Sequence, residues 1–80
     1  MTKVLFRITA TWDADVAVWV AESDDVPGLS TEAPNLDLLV AKLKVMIPEL
    51  LDANGASGSH DDIPFELIST LCAVAPRQAA

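Results

Sequence analysis

Tyrosine is absent, cysteine occurs once, at Cys72, and phenylalanine and tryptophan together number four in 80 residues. Lysine and arginine are also scarce, five against twelve Asp and Glu, so the chain carries a net charge of −7. Each shortage excludes something. A single cysteine cannot close an intramolecular disulfide, which favours a reducing setting, and we expect a cytoplasmic protein. So few cations on an acidic chain argue against a phosphate-binding surface, so direct nucleic-acid binding is not expected. No apolar run exceeds six residues, far short of the roughly 18 a membrane span needs. The start, Met1 to Arg7, has only a short apolar run and no signal-peptide pattern. What the chain does have is apolar content, 51 % of its residues, too much for a disordered acidic tail. Eighty residues suit one domain. A domain this small hides only roughly 60 % of its unfolded surface, so some of this apolar material is expected to need a second chain.

The pattern along the chain begins with strands. From Lys3 to Trp12, Val4, Phe6, Ile8, Ala10 and Trp12 alternate with Leu5, Arg7, Thr9 and Thr11, the period of two of a half-buried strand. Asp13-Ala14-Asp15 is a turn signal, and Val16 to Ser23 reads as a second strand. A three-residue hairpin loop would pair Trp12 with Val16 and Ile8 with Val20. It would gather the valines on the Phe6/Ile8 face and leave Trp19 outside. A two-residue loop would put Trp19 inside; the first register is preferred because it collects the β-branched residues. Pro27-Gly28 is a tight turn, Pro presetting φ and Gly supplying φ > 0. Leu29 to Glu32 can form a short third strand.

At Asn35 the period changes to 3.6. Asn35 is a good N-cap with Asp37 in the first turn. Leu36, Leu39, Val40, Leu43, Met46, Ile47, Leu50 and Leu51 then fall on one stripe about 140° wide. Asn54-Gly55 closes the helix. Pro48 interrupts its hydrogen bonding but not the stripe, which predicts one kinked helix with Pro48 on its outer side. After a polar loop, Ala56 to Asp62, the run Ile63 to Val74 predicts a last strand, starting near Phe65. Both its faces are apolar, as in a strand covered on both sides or lying at an interface. The order β-β-β-α-β gives an α+β fold: an antiparallel three-strand meander, a right-handed crossover through the helix, and a fourth strand parallel to the first. The spatial order is 3-2-1-4, with the helix on one sheet face and nothing in the chain to cover the other. Residues 1–75 form the domain and 76–80 a flexible tail.

The stretch Val18 to Ala33, with its Asp25-Val26-Pro27-Gly28-Leu29 turn and Thr31-Glu32-Ala33 strand, followed by an L-x-x-L helix, resembles the HicB-like antitoxin superfamily. The helix end Met46 to Gly55 and the following Asp62-Ile63-Pro64-Phe65 are similar to its DUF1902 branch of small bacterial proteins. The likeness spans about residues 3 to 74. It implies a degraded ribonuclease-H-like β-β-β-α-β fold and a role as the protein-binding half of a HicA/HicB-type toxin–antitoxin pair. In such a pair the toxin is a small basic ribonuclease whose active surface the antitoxin covers. Only Pro76 to Ala80 follow the last strand, too few for the DNA-binding segment that many relatives carry.

Catalysis is not expected. Ribonuclease H chemistry needs carboxylates from several elements converging on two metal ions. No acid lies between Lys3 and Trp12, while Asp37, Glu49 and Asp52 fall off the buried stripe, and Glu66 stands alone. His60-Asp61-Asp62 lacks the ligand spread of a specific metal site, and no metal or cofactor is expected. Cys72, with no base nearby, reads as a small buried thiol. The candidate protein interface comprises Leu5, Trp19, Ile68 and Cys72, on or near the uncovered sheet face, with Asp24 and Asp25 as charged contacts. Leu38, Ala41 and Val45, opposite the helix stripe, form a second apolar group. We therefore expect a homodimer or higher homo-oligomer whose acidic field also suits a small basic toxin. The alternative is an orphan small-ligand-binding or regulatory domain without a toxin.

Overall fold

A computed structural model describes residues 5–55 and 62–78. Its elements are β1 (Phe6–Asp13), β2 (Val18–Glu22), β3 (Ser30–Ala33), α1 (Leu36–Ala53) and β4 (Phe65–Thr70). They form one α+β unit, a four-stranded mixed sheet in the order β3-β2-β1-β4. β1 is antiparallel to β2 and parallel to β4. The expected architecture is the observed one.

The hairpin register differs from expectation. β1 pairs with β2 as Trp12 to Trp19, Thr11 to Val20 and Ala10 to Ala21. The turn therefore takes four residues, Ala14 to Ala17. Two local features hold it: Asp13 Oδ1 accepts the Asp15 N–H at 3.0 Å, and Ala17 adopts φ 56°, the left-handed region that a residue with a Cβ seldom enters. Changing a turn's length by one residue flips every side chain of the following strand. Trp19 and Ala21 consequently join Phe6, Ile8, Ala10 and Trp12 on the helix side, while Val18 and Val20 turn to the open face. Val16 is an exposed turn residue. Trp19 thus leaves the candidate interface: it packs against the core and meets Trp12 with ring centroids 5.4 Å apart, tilted 59°.

The core explains itself from side-chain sizes. Ala10, Ala21 and Ala33 put small residues on the covered face. Above them Leu39, Leu43, Ile47 and Leu51 of α1, spaced every four residues, are buried together with Ile8. Asn35 caps α1 by accepting the Leu38 N–H at 2.8 Å. Gly55, at φ 74°, follows the C-cap Asn54, whose N–H reaches Leu50 O. α1 runs unbroken through Pro48, which is half-buried rather than on the water-facing side. The helix lies closest to β3 and β2, so the β4 residues Phe65 and Leu67, on the same face, are only half-buried.

The segment between β2 and β3 is more built than a turn signal suggests. Leu29 N–H bonds Val26 O at 3.1 Å around Pro27-Gly28, with Gly28 at φ 85°, the conformation a type II turn demands at that position. Val26 is completely buried, and Asn54 Nδ2 donates to Pro27 O at 3.2 Å, tying the turn to the end of α1. β2 stops at Glu22, so Arg7 on β1 has no strand partner on its β2 side. Side chains replace that strand: Ser23 Oγ donates to Arg7 O at 2.7 Å, and Asp25 Oδ2 accepts the Arg7 N–H at 2.8 Å. Ser23 Oγ also accepts the N–H groups of Asp25 and Val26. Ser23→Ala should cost about 1–2 kcal/mol in urea unfolding; Ser23→Thr, which keeps the hydroxyl, should cost clearly less.

Candidate protein-binding surface

Alternation along the strands assigns the face that no element covers among the described residues. It carries Arg7, Thr9, Thr11 and Asp13 from β1, Val18, Val20 and Glu22 from β2, Ser30 and Glu32 from β3, and Glu66, Ile68 and Thr70 from β4. Leu5 continues the β1 row. Leu5 and Ile68 are both exposed, and the Arg7–Glu66 pair lies between them along the β1–β4 seam, where those two residues are register partners. Arg7 Nε donates to Glu66 Oε1 at 2.8 Å. That hydrogen bond, and then the carboxylate's charge, raise the guanidinium pKa further, so Arg7 stays cationic throughout the accessible pH range. The pair is exposed, and such pairs contribute little stability.

Among the described residues Arg7 is the face's single cation against Asp13, Glu22, Glu32 and Glu66, with Asp24 and Asp25 exposed at its rim. A cleft of about 380 Å³ lies there, between Leu5, Arg7, Glu22 and Asp25. Asp25 is committed to Arg7 N, while Asp24 is exposed. Ser23, which anchors this rim, was not foreseen from the sequence; a hydroxyl immediately after a strand and two residues before a turn acid is the signal that could have found it. Val26, also unforeseen as core, occupies the apolar position of the D-V-P-G motif.

The remaining candidates separate. Cys72 lies beyond β4 and is exposed, a correction to the expectation of a buried thiol. The last strand ends at Thr70, so the run past Leu71 leaves the sheet instead of extending it to Val74. Residues 71–78 have no helix or strand and are exposed throughout. Leu38, Ala41 and Val45 line an apolar groove on the outer side of α1 with Pro34 and Met46. His60 and Asp61 lie outside the described residues. Among the described residues no three His, Cys, Asp or Glu side chains are placed to hold a metal ion, and no helix is long and apolar enough to cross a membrane.

The chain is thus a small acidic α+β domain with a helix on one sheet face and, among the described residues, nothing over the other. It belongs to the family described as Domain of unknown function (DUF1902), which matches residues 5–78. A similar solved structure is the crystal structure of hypothetical protein TTHA1013 from the extremely thermophilic bacterium Thermus thermophilus. It is 46 % identical, covers 92 % of this chain and 100 % of its own, and superposes with a TM-score of 0.69. No curated protein matches.

Proposed function

We propose that the chain is a non-catalytic protein-binding module that associates with itself and receives a basic protein on its open sheet face. This extends its resemblance to HicB-like antitoxins. The observation that carries the reading is the composition of that face: four carboxylates and apolar Leu5, Val18, Val20 and Ile68 around one paired arginine. Carboxylates steer a cationic partner into contact, and exposed Leu5 and Ile68 with half-buried Val18 and Val20 supply area to bury. A small basic ribonuclease of the HicA type has the matching charge. The small-ligand alternative is less well supported, because the rim cleft has its one cation already engaged by Glu66.

The test is co-expression with the product of the adjacent reading frame, scored by co-purification and by rescue of growth. Recovery of a complex together with rescue supports the antitoxin role; neither, with a small basic neighbour present and expressed, contradicts it. For a complex formed this way, raising salt from about 50 to about 500 mM should slow association by about tenfold or more, with a smaller change in dissociation. An association rate indifferent to salt would contradict steering by the acidic face.

A further inference from the structure

The two edges of the sheet are treated differently. The β3 edge is four residues long and ends against Pro34. Its outward Glu32 carbonyl accepts the Lys42 ammonium at 2.6 Å. A short edge, a proline and a lysine are the usual means of blocking strand addition. The β4 edge is longer, six residues, and carries no lysine; like β3 it has a proline only next to the strand, Pro64. Phe6 N–H donates to Pro64 O, so by alternation the even-numbered β4 residues bond β1 and the main-chain groups of Phe65, Leu67 and Ser69 point outward. Among the described residues nothing hydrogen-bonds that edge.

The chain leaves the same edge as an exposed arm, Leu71 to Gln78, with Leu71 53 % and Val74 90 % exposed. The radius of gyration is 15.9 Å, against roughly 12 Å for a compact chain of this length, as an arm standing off the body requires. No acid follows Glu66, and the arm's one charge is Arg77. An apolar, slightly cationic arm on a strongly acidic protein fits the acidic open face of another copy better than its own solvent.

We propose that two copies join through β4. The strands pair antiparallel about a two-fold axis perpendicular to the sheet, making eight continuous strands with both helices on one side. Each arm then crosses onto the open face of the partner copy. A two-fold contact is self-complementary: it satisfies the outward groups of Leu67 and Ser69 on both copies, covers half-buried Phe65 and Leu67, and buries Leu71 and Val74. This rests on the self-association reading and specifies its surface.

The test is the mass of the full chain by sedimentation, for the unmodified protein and three variants, with far-UV circular dichroism as the folding check. Ser69→Pro removes an outward N–H without touching the β1 ladder, a placement edge strands tolerate. Val74→Asp charges the arm outside every folded element and so decides the question if Ser69→Pro fails to fold. Val45→Glu charges the helix groove as a control. The expected result is a dimer for the unmodified chain and Val45→Glu, and dissociation at least about 30-fold easier for Ser69→Pro and Val74→Asp. An unmodified chain that is monomeric overturns self-association itself. A dimer that survives both folded β4 and arm variants leaves self-association standing and overturns the β4 contact, as does a monomeric Val45→Glu with the other two dimeric.

Discussion

Replacing Leu43 with alanine should lower stability by about 3 kcal/mol, within the 2–5 kcal/mol range of such truncations in tight cores. Leu43 is fully buried at the middle of the α1 stripe, among Leu39, Ile47 and Ile8. Ala10, Ala21 and Ala33 on the covered sheet face have no long side chain to swing into the vacated volume. In a domain this size, 1 kcal/mol moves the melting temperature by about 4–8 °C, so thermal unfolding should shift by more than about 10 °C. Unfolding compared at equal protein concentration checks this, because association also raises apparent stability. A shift below about 4 °C would mean that the helix packs less closely on the sheet than described.

Trp19→Ala should be nearly as damaging, about 2–3 kcal/mol. It removes a large half-buried side chain from the core rim and also breaks the ring contact with Trp12, itself worth about 0.5–1.5 kcal/mol. The result discriminates between two placements of one residue. On the covered side, as the register Trp12 to Trp19 places it, its loss lowers stability and leaves the mass of the folded protein unchanged. At an interface it would lower the mass and spare the fold. A stable monomeric Trp19→Ala would reverse the assignment.

That residue also marks where the sequence stops being informative. Strand alternation, the Asn35 cap, the eight-residue helix stripe and the Asn54-Gly55 ending were legible because each rests on local chemistry, and with the crossover rule they sufficed for the order β3-β2-β1-β4. The hairpin register was not legible. It hangs on whether the loop has two, three or four residues, and the deciding feature is Ala17 in a left-handed conformation that its residue type does not advertise. A register shift of three residues, odd and so face-reversing, exchanged Trp19 for Val18 and Val20 on the open face. The end of β4 was also missed: Leu71 to Val74 is as apolar as a strand, yet the chain leaves β1 after Thr70 although β1 continues to Asp13, a mismatch between apolar pattern and strand pairing. The same mismatch exposes Cys72.

Of the candidate surface, Leu5, Ile68, Asp24 and Asp25 were readable, the first two from parity and the others from charge. Ser23 was not, because its role comes from β2 ending two residues short of the position opposite Arg7. The lysine on the β3 edge was equally hidden, since it requires α1 to lie over that strand. The apolar surplus of an acidic 80-residue chain now has a location, on β4, the arm after it, and Leu5 and Ile68 on either side of the Arg7–Glu66 pair.

The most direct test of this account is the sedimentation mass of the unmodified full chain from about 1 to about 100 μM, a range that resolves a Kd near 1 μM. The account predicts twice the 8.5 kDa of one chain over most of that range, falling toward one chain only on dilution. A mass of one chain at every concentration would contradict it.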